Sequence, residues 1–261
     1  MFAKSGSCAS LVISECKSAW SALLHKDSQQ QHEPPSSPSD INIDTALAHL
    51  ALGPILIDTT NLTSQEKTTK WDIDAVNFAE SKISSSSNDA AARYSRTAFY
   101  ESITRLKEDI SRLSYRDILR KDYKRWDDGG FALGTSAVVQ GFGYLTTGPE
   151  RSRNELLSEV KAWAGEQGLD IVAVVTACSV DGEFTRELLV WAFGEDAIKV
   201  ARQFAARNKE ALGLEVWGEG DLDGGEDGKD WRACWKQKRV EHSRKRIAPM
   251  LREAMRDSSK L

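Results

Sequence analysis

Cysteine is scarce in this chain and is not clustered. Cys8, Cys16, Cys178 and Cys234 form no Cys-x-x-Cys pair, and no histidine lies at zinc-ligand spacing. This argues against a structural zinc and fits a reducing, cytoplasmic compartment. No sustained apolar stretch follows Met1, so no secretory leader is expected. The longest apolar-rich run, Ala46 to Ile57, is broken by His49 and Gly53-Pro54 and is too short to span a bilayer, so no membrane association is expected. There is no Gly-x-Ser-x-Gly elbow, Walker loop or Cys/His pairing, which argues against nucleophilic side-chain catalysis. The chain also lacks a basic balance: its net charge is −4, against a general nucleic-acid binder.

At 261 residues, with 40% hydrophobic and 28% charged residues, the chain can form one large domain or two modest ones, each with a real core. Locally the charge balance reverses. Lys229 to Arg256 holds ten Lys/Arg against three Asp/Glu, and Arg112 to Arg125 six against two. Small anionic ligands therefore remain open.

Helical spacing of apolar residues predicts helices over Ser7–Leu24, Asp44–Leu52, Lys70–Ile83, Thr97–Arg112, Arg153–Glu166 and Asp196–Lys209. Gly53-Pro54 is expected to bend or end the second of these before Ile55-Leu56-Ile57. Ser114 and Asp117 have the spacing of a capping box and open a short helix through about Lys121. Phe131–Gln140, Asp170–Cys178, Phe184–Trp191 and Trp231–Arg239 read as strands, and Pro249 as the first residue of a last helix. Residues 27–40 are polar and punctuated by proline, as in a solvent-facing, disordered insertion. The serine-rich segment Ser84–Ser87 is a candidate domain boundary. Strands alternating with helices make the second half α/β.

Three places invite chemistry. An apolar run ends in Asp58, followed by Thr59, Thr60 and Asn61. A carboxylate at the end of a buried element is protonated, paired or bound to a metal, because an isolated buried charge is costly. Arg244 and Lys245 lie in Ser243–Pro249, where the positive end of a helix opening at Pro249 would favour an anion. A planar Arg fork beside a compact Lys charge suits two neighbouring phosphoryl groups, although a solvated basic helix face has the same composition. Lys124 follows Arg120-Lys121 and reads either as a phosphate ligand or as a surface lysine. The acidic stretch Asp221–Glu226 has Gly225 and Arg232 where a calcium loop needs oxygen ligands, and reads as a flexible turn.

GSCASLV (Gly6–Val12), LGPILIDTTNL (Leu52–Leu62), LSYRDILRKDYKRW (Leu113–Trp126), ALGTSAVV (Ala132–Val139) and SRKRIAP (Ser243–Pro249) fall in the order seen in the DHH phosphoesterase superfamily. Over Gly6 to about Arg252 the chain resembles the branch holding exopolyphosphatases, prune proteins and family II inorganic pyrophosphatases, the fungal exopolyphosphatases most. The resemblance implies that residues 1–84 are the C-terminal remnant of a metal-binding DHH domain, mainly helical here. It implies that residues 90–261 are a C-terminal phosphate-binding α/β domain with a mixed sheet. It places Asp58 on the fourth metal motif, for Mn²⁺ or else Mg²⁺ or Co²⁺, and Lys124, Arg244 and Lys245 on phosphate ligands.

The implied activity is metal-dependent hydrolysis of phosphoanhydrides in polyphosphate or pyrophosphate. The superfamily's first three metal motifs, including Asp-His-His, are expected before GSCASLV, and only five residues precede that segment. The metal site expected of this chain alone is therefore incomplete. A non-catalytic polyphosphate-binding module, or a prune-like interaction module using Gln29–Ser39 and the acidic loop Gly218–Gly228 as partner surfaces, is the alternative.

Overall fold

The computed structural model describes residues 4–30, 43–85, 93–148 and 151–258. They divide into two compact units, Met1–Lys107 and Glu108–Leu261. The division falls later than the serine-rich segment suggested, because Phe99, Tyr100 and Ile103 of the helix Arg96–Glu108 pack on the first unit's core.

The described residues of the first unit are helical: α1 (Cys8–Gln30), α2 (Ile43–Thr59), α3 (Lys70–Ser84) and α4 (Arg96–Glu108). The expected end of α1 near Leu24 is overrun, since no Gly or Pro interrupts the chain before Pro34. The rest of the proline-rich insertion, with most of Gln29–Ser39, lies outside the described residues. α2 also overruns its expected end and contains Pro54. A proline in a helix interior costs roughly 3 kcal/mol. Ala48, Leu52, Ile55, Leu56 and Thr59 keep one buried face across it, and that burial offsets the lost hydrogen bond. Trp20 of α1 meets Phe78 of α3 edge to face at 5.4 Å, and its Nε1 donates to Asp44 at 2.9 Å.

The second unit is α/β with a mixed sheet, as expected. Six strands lie in the order β1 (Tyr123–Asp128), β2 (Phe131–Val138), β3 (Ile171–Thr176), β6 (Glu187–Phe193), β8 (Asp230–Gln237), β7 (Leu214–Val216). β2 and β3 are parallel, and every other neighbouring pair is antiparallel. β4 (Cys178–Val180) and β5 (Glu183–Thr185) form a separate hairpin.

Helices cover both faces of the sheet. Val172 and Val174 of β3 join a core with α5 (Tyr115–Lys121), α6 (Phe142–Thr147) and α7 (Arg153–Gln167). Ile171, Ala173 and Val175 join another with α8 (Glu195–Leu212) and α9 (Arg244–Ser258). A strand buried on both faces is apolar throughout, and β3 is IVAVVT.

β1 was not expected as a strand. It lies at the edge of the sheet, and its sequence YKRWDD carries the charges an edge tolerates. It turns into β2 through Gly129 and Gly130, at φ 58° and 82°, as a two-residue hairpin requires.

Candidate phosphate site at one end of the second unit's sheet

Ser114 caps α5 by accepting from the Asp117 amide at 3.1 Å, so the capping signal holds. The helix stops at Lys121, and the chain passes through Asp122 into β1. In β1, Trp126 packs on the core beneath α8 and α9, and Tyr123 on the opposite core. Lys124, two residues from Trp126, therefore belongs to the α9 face. It pairs with Thr135 of β2, whose hydroxyl is fully buried and has no hydrogen-bond partner among the described residues.

The last helix does not open at Pro249. It opens at Arg244 after Ser243, whose Oγ accepts from the Lys245 amide at 3.3 Å, and Pro249 lies inside it. Arg244, Lys245 and Arg246 thus occupy the first helical turn, where the expectation was a loop. That turn holds no acid. Three cations there oppose the positive end of the helix dipole, an arrangement an anion relieves.

Arg244 is fixed in place. Its Nη1 donates to the Asp122 carbonyl at 2.6 Å and to Asp122 Oδ1 at 2.7 Å, joining positions 122 apart. At the other end of α9, Arg252 and Arg256 reach Asp128 at 3.0 and 2.8 Å. α9 is thereby laid along β1, with its cationic first turn at the end of the sheet where β1 begins and β2 ends. Lys124 and Lys245 are exposed, and among the described residues neither side chain has a hydrogen-bond or ion-pair partner. The structure therefore brings Arg244 and Lys245 to the start of Lys124's strand.

Asp58 belongs to the other unit and corrects the sequence reading. It is exposed. Because α2 stays helical to Thr59, its period buries Ile55, Leu56 and Thr59 and turns Asp58 away from that face. Thr60, Asn61 and Leu62 follow with φ of 53°, 55° and 64°, a run of left-handed residues uncommon without glycine. The fully buried acid is instead Asp72, with both oxygens occupied by protein donors. Among the described residues no three His, Cys, Asp or Glu side chains group to hold a metal. Asp58 supplies one carboxylate, whereas a two-metal centre takes several such donors.

The acidic stretch Asp221–Glu226 is pinned rather than loose. Asp223 Oδ1 accepts from the Cys234 amide at 2.7 Å, and Leu222 is fully buried. Two residues escaped the sequence reading. Thr135 sat inside a quoted motif, and its signal was a hydroxyl in the middle of an apolar strand. Arg186 lay inside the predicted strand Phe184–Trp191, between the acids Glu183 and Glu187, and nothing in the sequence marked it as a ligand.

The second unit is thus a mixed α/β domain with cations gathered at one end of its sheet. Residues 101–254 match the DHHA2 domain, and the chain belongs to that family, within the exopolyphosphatase and family II pyrophosphatase branch of the DHH superfamily. It is 31% identical over 215 residues to a Schizosaccharomyces pombe protein named "Putative exopolyphosphatase", covering 81% of this chain and 50% of the relative. The chain thus spans about half the length of that curated relative. A crystal structure described as a "Methanococcus jannaschii putative family II inorganic pyrophosphatase" shares the fold at a TM-score of 0.50 and 18% identity, covering 97% of this chain and 65% of that one. Among the described residues no helix is long and apolar enough to cross a membrane.

Proposed function

We propose that this chain binds inorganic polyphosphate or pyrophosphate through Lys124, Arg244 and Lys245, as part of an exopolyphosphatase- or pyrophosphatase-like phosphoanhydride hydrolase. The observation that carries this is the first turn of α9: three cations with no acid among them, aligned with β1 by Arg244 and Asp122. Such a turn is least stable when empty and gains most when an anion sits on it. Cations there would neutralise charge on the transferred and leaving phosphoryl groups. The S. pombe relative's name supports polyphosphate as the substrate class.

Asp58 is proposed as one ligand of a divalent ion, Mn²⁺ before Mg²⁺ or Co²⁺. When bound in a complete centre, such an ion makes hydroxide available near neutral pH. The described residues group no second and third donor with Asp58. That favours a second reading for the chain on its own, in which it binds phosphate chains without turning them over.

Two measurements on the purified chain decide between these readings. In titration calorimetry with tripolyphosphate, Lys245→Ala should weaken binding about tenfold, the worth of one charge-assisted contact. Binding unchanged in both Lys245→Ala and Lys124→Ala would remove the site. Phosphate release from tripolyphosphate in Mn²⁺, lost in Asp58→Ala, would favour the hydrolase over the binding module.

A further inference from the structure

Arg186 sits immediately before β6, half-buried, and among the described residues no carboxylate pairs with it. Its Nε donates to the Val240 carbonyl at 2.6 Å, and its guanidinium lies 5.0 Å from the centre of the Phe184 ring. Those two contacts orient the group. They leave its Nη1 and Nη2 donors without a partner among the described residues. Partial burial lowers its pKa, the mark of a cation that loses hydration without gaining an anion.

Its place in the sheet gives this a use. Alternation along β6 puts Leu188 and Val190 in the core under α8 and α9, so Arg186 belongs to the face that carries Lys124. Val240 is tied to Arg186 beside β6, and Arg244 to Asp122 beside β1. Arg186 and Arg244 thus stand at β6 and β1, on either side of the ends of β2 and β3. In the order β1-β2-β3-β6 the strands β1 and β6 are three strand spacings apart, about 14 Å. A single pyrophosphate does not bridge that distance, whereas a chain of several phosphoryl groups does.

We propose that Arg186 is a specificity-determining residue that extends the cationic end of the sheet beyond Lys124, Arg244 and Lys245, so that the chain prefers extended polyphosphate to pyrophosphate. This rests on the phosphate-binding reading above.

The test is titration calorimetry of the whole chain with long-chain linear polyphosphate and, separately, pyrophosphate. Arg186→Gln should weaken the long chain about tenfold and leave pyrophosphate within about twofold, since only the longer ligand reaches it. Arg186→Lys separates charge from scaffolding: it keeps the cation and loses the Nε bond to Val240, and it should restore most of the affinity for the long chain. Equal weakening of both ligands in Arg186→Gln, not rescued by Lys, would assign Arg186 to holding the Val240 loop and overturn the inference. An unchanged ratio of the two affinities would also overturn it. If the parent chain bound neither ligand, the phosphate-binding reading itself would fall, an outcome distinct from the other two.

Discussion

Asp72 keeps a carboxylate where water does not reach it. Burial alone would raise its pKa, but the Ser10 and Thr69 hydroxyls and the Gly6 and Thr69 amides donate to it and lower the value from 3.8 to about 2. The Ser7 amide also donates, at 3.0 Å, so the carboxylate ties the segment before α1 to the first turn of α3. The unfolded group titrates near 3.8 and the folded one near 2, so its stabilisation is complete above the unfolded value and is lost as pH falls toward 2. The difference corresponds to about 2 kcal/mol. Unfolding in urea across pH 2 to 6 should show that loss in the parent and a flatter profile in Asp72→Asn. The amide also turns an NH₂ toward donors that need an acceptor, so at neutral pH Asp72→Asn should cost on the order of 3 kcal/mol. A loss under about 0.5 kcal/mol would show that water replaces the carboxylate there.

At the scale of elements, the β1–β2 hairpin and α9 make a sharper test. A Cβ at Gly129 would lie 2.4 Å from the Met255 carbonyl oxygen, while Gly130 has open space around it. Both have positive φ, so Ala at either position meets about 1 kcal/mol of left-handed strain. Only Gly129→Ala also pushes the hairpin off α9, and it should cost about 2 kcal/mol more than Gly130→Ala in thermal unfolding. Equal losses would mean that the hairpin does not bear on the helix.

The elements legible in the sequence were those whose apolar pattern fits one period. α3, α7 and α8, and strands β2, β3 and β8, stand close to where that pattern put them. β1 was hidden because an edge strand carries charge, and α9 began earlier because Pro249 was read as a start and not as an interior residue. Asp58 was misplaced for a related reason. Gly53-Pro54 predicts a bend or an end of that helix, which lets the residues beyond it count as a buried extension, whereas an unbroken helix turns Asp58 outward. Lys124, Arg244 and Lys245 were visible as charge clusters. Their approach was not, because it depends on Arg244 reaching Asp122 from 122 positions away.

At the scale of the molecule, the two units differ in how completely they are covered. In the first, Ile43, Leu47 and Leu50 recur along α2 at helical spacing and are exposed, 79%, 40% and 74% respectively. The second has a core on each face of its sheet, one under α5, α6 and α7 and one under α8 and α9. A sheet covered on both sides meets the usual requirement for independent folding. Residues 108–261 expressed alone should therefore unfold in one cooperative transition and expose little apolar surface to a hydrophobic dye. Lys124, Arg244 and Lys245 all lie within that segment. It should bind tripolyphosphate within about twofold of the whole chain, with affinity that falls as salt screens the cations. A segment without cooperative unfolding would show that two covered faces do not suffice for this sheet. A folded segment that no longer binds would overturn the assignment of the phosphate site to those three cations.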